Sequence, residues 1–371
     1  MSTACVVNVP RNVAGGREEF EPEDRLCYRV RTLRPLLLVP GLFCTEIHDD
    51  ELGYIWGKFG QLYGGPPIGT LEGLRGGPKE ILRGLPLLFG LKYDLVGALE
   101  EALCAGGYRR GETLHYFAYD WRRPVVDLGV TLATEVRRLA VASGEAIDIL
   151  GLSNGGPIVR AAYAADRSLP VERVVTSGGA HAGTVETVAC LDAGFRFAPL
   201  GRRVTPEEFM SCPGGLDSIP APGSATFLPD DSGYDLYDVE TWRRLRMSVF
   251  RRHPDDPVWI AVVAKRLAGV RELYRVLDGA ATPRRLVCIC GTGLPTQIRI
   301  VVEKGRARLP GEGRLAGLSQ AALTDGDGTI AVEAAHAWAG ADPEVVKIPV
   351  TRHRDMIRTR HAFEAILAAL R

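Results

Sequence analysis

Apolar and polar positions along the chain fall into two alternating patterns. Short continuous apolar runs closed by Gly or Pro occur at residues 36–39 (LLLV, before Pro40-Gly41) and at 146–150 (AIDIL, before a Gly-rich turn). Runs of this kind suit central strands of a parallel sheet, which are buried on both faces. Residues 285–290 and 345–350 (VVKIPV) also read as strands, the latter as the last of the sheet. Between them lie stretches with apolar residues at helical spacing. Residues 93–105 end at Gly106-Gly107, a helix stop, and 130–140 and 361–370 are similar. Strand–helix alternation over this length predicts a doubly wound, mostly parallel sheet in one α/β domain covering residues 1–371. Two stretches break the alternation. Residues 46–90 are rich in Gly, Pro and aromatics, and 185–282 mix helix and loop signals. Both are expected to be insertions, a first lid and a cap, because long excursions from an α/β core tend to be functional.

Composition narrows the partners. Lys plus Arg equals Asp plus Glu at 45 each, so no net charge draws the chain to nucleic acid or an anionic surface. No run approaches the roughly 18 apolar residues of a membrane span, and the N-terminal residues carry no signal-peptide pattern. A cytoplasmic location is expected. The eight cysteines are scattered without a C-x-x-C pair, and are read as small buried hydrophobes. Two short runs near the N-terminus, CVVNV and LCYRV, look like extra strands.

The candidate chemistry begins at Gly151-Leu152-Ser153-Asn154-Gly155. This is G-x-S-x-G between a strand and a helix pattern, the context that gives the motif meaning. Small residues allow a sharp turn that holds the Ser153 hydroxyl above the sheet edge. The fold this implies is the α/β-hydrolase fold with lid insertions, in which the acid and the base follow the serine in chain order. A serine hydroxyl needs a base. The histidines after Ser153 are His181, His253, His336, His353 and His361. His353 follows the last strand-like run, where a side chain can lean back over the serine. His336 reads as helical and facing away, and His361 as the start of the terminal helix. The carboxylate is expected on the Gly-rich turn 324–329 (TDGDGT), at Asp325 or Asp327. The oxyanion donors are expected to be the N–H groups of Asn154 and of Leu42, on the loop after the first strand. The Asp-Gly repeat lacks the distal Glu of a calcium loop, so no metal is expected, and no cofactor.

Taken in order, LLLVPGL, YDWRRP (119–124), GLSNGG, GTGLPT (291–296), DGDGT and HRDM (353–356) resemble the lecithin:cholesterol acyltransferase and lysosomal phospholipase A2 family over residues 33–371. TSGGAHAG (176–183) resembles a further family segment. The resemblance implies a triad of Ser153, Asp327 and His353, with Leu42 and Asn154 at the oxyanion positions. It places Trp56 in the family's first, membrane-engaging lid. Trp56 and His181 are therefore the candidate substrate contacts. The implied chemistry is cleavage of a fatty acyl ester through an acyl-enzyme, with water or an alcohol as acceptor and transient lipid contact. The chain departs from the family in having no cysteine between Cys44 and Cys104 to staple the first lid, and in Leu152 and Asn154 beside the serine. Two other readings stand beside this one: a tailoring esterase, acyltransferase or thioesterase for a non-lipid metabolite, and a non-catalytic binding protein on a hydrolase scaffold.

Overall fold

The computed structural model describes residues 33–371, apart from 198–199, 225, 231, 310–314 and 316. The two N-terminal runs expected as strands lie outside the described residues. The centre is a six-stranded sheet. Its strands are β1 (Leu36–Val39), β2 (Leu114–Tyr116), β3 (Ile147–Leu152), β4 (Val171–Ser177), β5 (Leu286–Thr292) and β6 (Glu344–Pro349). Their order across the sheet is β6-β5-β4-β3-β1-β2, and every pairing is parallel. β1 and β3 are buried along their whole length, which is why β1 reads as an unbroken apolar run and β3 as one interrupted only by the buried Asp148.

Helices flank this sheet, and the fold is an α/β-hydrolase fold. Val125–Ser143 buries Leu128, Leu132, Val136 and Leu139 along one stripe and stops at Gly144, whose φ is 72°. It packs on Gly155–Ala165, which in turn packs on Pro257–Asp278. Gly97–Ala105 and Arg360–Ala369 form a second packed pair. The helix expected from residue 93 starts at Gly97 instead. Lys92–Asp94 pairs with Gly84–Pro86 as a hairpin, and the Asp94 carboxylate accepts the Ala98 N–H at 3.3 Å. Asp94 stands two residues before the N-cap, Val96, and takes one of the free N–H groups of the first turn.

Three segments leave the central sheet. The first, after β1, is a three-stranded antiparallel sheet of Thr45–Asp49, Gly53–Trp56 and Gly77–Ile81, followed by the 84–94 hairpin. The second carries helices Val185–Ala193, Pro206–Ser211, Val239–Arg244 and the long Pro257–Asp278. The third lies between β5 and the acidic turn, and its strand Leu294–Gln297 pairs with Leu323–Gly326. Cys44, Cys212, Cys288 and Cys290 are buried thiols. No described helix is long and apolar enough to cross a membrane.

Candidate active site

Ser153 sits between the end of β3 and helix Gly155–Ala165, with φ at 50°. A non-glycine residue in this region is strained by about 1–3 kcal/mol and persists only where its surroundings over-determine it. Here the surroundings are backbone. The Ser153 N–H donates to Ser177 O at 3.0 Å, and Ser153 O accepts from Gly156 N at 3.0 Å and Ala180 N at 3.2 Å. A Cβ on Gly155 would lie 2.3 Å from Val39 O, so only glycine lets the helix start this close to β1. The serine hydroxyl is thereby held at the positive end of the helix.

His353 opens the short turn His353–Ile357 after β6. Its Nε2 is 2.9 Å from Ser153 Oγ and its Nδ1 is 2.7 Å from Asp327 Oδ2. The carboxylate fixes the tautomer: Nδ1–H donates to Asp327, which leaves the Nε2 lone pair to accept the serine O–H. Asp327 is 2% exposed at its side chain and His353 20%. The second carboxylate oxygen of Asp327 accepts the N–H groups of Thr329 and Ile330 at 2.9 and 2.7 Å. The loops are also tied by backbone, since His353 N–H donates to Asp327 O at 3.0 Å. Thr296, on the third excursion, accepts the Gly328 N–H at 2.9 Å and steadies the acidic turn.

Of the two carboxylates on this turn, Asp325 is not the one beside His353: it accepts the Gly293 N–H at the end of the neighbouring strand, at 2.6 Å. The local turn-bonding role falls to Asp327, which performs it together with the contact to His353. The reason is the antiparallel pairing of Leu294–Gln297 with Leu323–Gly326, which carries Asp325 across to Gly293.

The turn 41–44 lies on the other side of the serine. A Cβ on Gly41 would be 3.2 Å from Ser153 Cβ, so the two chains nearly touch. Among the described residues, no protein acceptor takes the N–H of Leu42 or of Asn154. Asn154 opens the helix, where the first N–H groups have no partner within it. Its side-chain oxygen accepts from Ser218 Oγ at 2.9 Å, which links the cap segment to the serine loop. Ser218 was not foreseen, because it acts from a distant segment through one hydroxyl; Thr296 closes the GTGLPT stretch noted above, but nothing in that stretch revealed its contact with Gly328.

The two candidate substrate contacts are not where the site would need them. Trp56 is 2% exposed and packs among Phe43, Trp121 and Phe197. Its indole Nε1–H donates to Phe43 O at 2.8 Å, so it is a core residue at the base of the lid and presents no face to an acyl chain. His181 has no exposed surface, and its ring lies against Gly156, Gly179 and Trp338. Burial pushes its pKa down to about 3, so it is a neutral packing group beneath the serine turn. Of the other histidines, His336 terminates the short helix Val332–Ala335, and His361 lies in the terminal helix. His253 stands beside Glu207, at 3.6 Å.

No family model and no curated protein matches this chain. Among solved structures, a chain of the Tle4–Tli4 complex superposes with a TM-score of 0.60 at 11% identity, covering 91% of this chain and 98% of that one. Weaker likenesses include the mature Bacillus licheniformis lipase BlEst2, at a TM-score of 0.43 and 12% identity over 92% of this chain and 93% of that one. A Paleococcus ferrophilus monoacylglycerol lipase gives 0.35 and 13% over 90% and 93%.

Proposed function

We propose that this protein is a serine acyl-ester hydrolase or acyltransferase that works through an acyl-Ser153 intermediate on lipid-like esters. The observation that carries the reading is the chain of two short contacts, Ser153 Oγ to His353 Nε2 at 2.9 Å and His353 Nδ1 to Asp327 Oδ2 at 2.7 Å, on a serine at positive φ. In this reading Ser153 Oγ attacks the ester carbonyl while Nε2 takes its proton. The N–H groups of Leu42 and Asn154 receive the oxyanion, and Asp327 stabilises the imidazolium. The imidazolium then protonates the leaving alkoxide. Water or an alcohol, deprotonated by the same Nε2, attacks the acyl-serine and regenerates the hydroxyl.

The lipid-like substrate class draws support from the first lid. The tip of its hairpin exposes Phe89 at 96% and Leu91 at 64%. Exposed Lys92 adjoins this tip. Apolar side chains beside a cation suit a surface of acyl chains and anionic headgroups. The motif order shared with the lecithin:cholesterol acyltransferase and lysosomal phospholipase A2 family points the same way.

The test is turnover of p-nitrophenyl esters from acetate to long-chain acyl groups, followed by product analysis on phospholipid vesicles with and without added alcohol. The expected result is activity that rises with chain length, extends to vesicles and falls by ~10⁴–10⁶-fold in Ser153→Ala. Activity confined to short soluble esters would move the assignment to a non-lipid metabolite. Undiminished activity in Ser153→Ala would end the serine mechanism.

A further inference from the structure

Phe43 has φ at 67° and no glycine's freedom to adopt it. It occupies the third position of the turn Gly41-Leu42-Phe43-Cys44, which closes through a single long bond, Cys44 N–H to Gly41 O at 3.4 Å. A positive φ at that position belongs to a turn that normally requires Gly or Asn. Something beyond the turn must therefore hold it.

Aromatic donors from elsewhere in the fold do so. Trp56, thirteen residues along in the first lid, donates its Nε1–H to Phe43 O at 2.8 Å. Tyr119 donates its O–H to Pro40 O at 2.9 Å. Two carbonyls of the turn, that of Pro40 two residues before Leu42 and that of Phe43 just after it, are thus anchored by buried rings. The Phe43 ring completes the clamp, with centroids 4.6 Å from Trp121, 4.7 Å from Phe197, 5.1 Å from Phe195 and 5.5 Å from Trp56. Trp121 is itself fixed by its indole N–H to Thr45 O at 3.3 Å.

We infer that Trp56 is a positioning residue for the oxyanion donor: its indole N–H holds the strained 41–44 turn so that the Leu42 N–H stays aimed at the position the oxyanion occupies. The inference rests on the reading of Ser153 as nucleophile and Leu42 N–H as oxyanion donor. It assigns Trp56 an effect on the transition state and none on substrate binding. Losing one oxyanion donor outright lowers kcat by ~10²–10³-fold. Loosening the turn that carries one should lower it by roughly tenfold or more.

The experiment measures kcat and KM on a soluble short-chain ester for the parent protein and for Trp56→Phe, which keeps a ring and removes the N–H. It also measures inhibition by an alkyl boronic acid, whose tetrahedral adduct places an oxygen in the oxyanion position. The expected result is a kcat lower by about tenfold or more, a KM within about twofold, and boronate affinity weakened by the same factor as kcat. If Trp56→Phe does not fold, replacement of Trp56 by 3-benzothienylalanine removes the N–H while keeping the bicyclic shape. A lower melting temperature with kcat per folded molecule unchanged would make Trp56 structural and overturn the inference. A parent protein that turns over no ester would instead remove the hydrolase reading, and the inference with it.

Discussion

Two turns meet across the candidate site, and each carries a non-glycine residue at positive φ: Ser153 at 50° and Phe43 at 67°. They are held in opposite ways. The serine turn is fixed by its own surroundings in the sheet, through backbone bonds to Ser177, Gly156 and Ala180 and by a strand–helix packing that leaves no room for a Cβ at Gly155. The 41–44 turn has little backbone support and is held by side chains recruited from the 53–56 strand, the 119–124 segment and residues 195–197. Strain held by backbone is insensitive to what happens in those segments. Strain held by rings links the turn that carries the proposed oxyanion donor to the packing of three separate segments.

The sharpest way to sharpen this contrast is on the acid–base side, where backbone support is also dense. Asp327→Asn should lower turnover by about 10⁴-fold, because the amide no longer fixes the His353 tautomer or stabilises its imidazolium. Asp325→Asn, whose carboxylate bonds only Gly293 N–H, should change turnover by less than about tenfold. Both are read on a soluble ester after circular dichroism shows that each variant folds. The reverse pattern would place the triad acid at the wrong turn position.

A smaller effect separates the two turns directly. Gly155→Ala pushes a Cβ to within 2.3 Å of Val39 O, which is backbone and has nowhere to move. It should lower stability by about 1–3 kcal/mol and turnover by about 10²-fold as the serine shifts. Gly41→Ala meets Ser153 Cβ at 3.2 Å, a contact that relaxes by a few tenths of an ångström. It should leave the melting temperature nearly unchanged and lower turnover by only several-fold, roughly 1 kcal/mol. Equal melting temperatures for the two variants would dissolve the distinction. The Trp56→Phe loss expected above falls between these two cases in turnover.

The cap side also carries the smallest expected effect on turnover, one that shows in stability. Asp217, next to Ser218, accepts the Val125 N–H at 2.6 Å. Burial pushes its carboxyl up to about 7, well above the usual carboxylate range. A folded-state pKa above the unfolded one means its contribution is fully present below about pH 4. It is lost as pH rises through about 7, at about 1.4 kcal/mol per unit over that window. Asp217→Asn should flatten this dependence, with unfolding free energies at about pH 5 and pH 8 closer together than in the parent. The same difference between the two pH values in Asp217→Asn as in the parent would show that Asp217 does not contribute to it.

The core was legible in the sequence because burial on both faces writes itself as near-continuous apolar runs: β1, β3 and β5 were all readable, each within two residues of its observed ends. The serine turn was legible because its glycines and the serine stand side by side in one short motif, although the contact that requires Gly155 comes from Val39 on another strand. The acidic turn was legible as a segment, but residue spacing alone left Asp325 and Asp327 open, since their roles depend on a strand pairing 30 residues upstream with no pattern of its own. The lid was the least legible. An aromatic-rich, Gly-rich stretch gave no period to read, and Trp56, expected at a substrate surface, proved to face inward. Its partner is a carbonyl, and a carbonyl acceptor has no signature in sequence. Ser218 stayed hidden because a lone hydroxyl reaching in from a distant segment has no signature either.

The central claim is that Ser153 forms a covalent acyl intermediate. The most direct measurement is intact-protein mass spectrometry on protein quenched in acid during turnover of an activated ester, with the modified residue located by peptide sequencing. The account predicts a mass increase equal to one acyl group, carried on the peptide containing Ser153. It also predicts no increase in Ser153→Ala and the same serine taken by a fluorophosphonate. An acyl group found on another residue, or turnover and labelling that persist in Ser153→Ala, would contradict it.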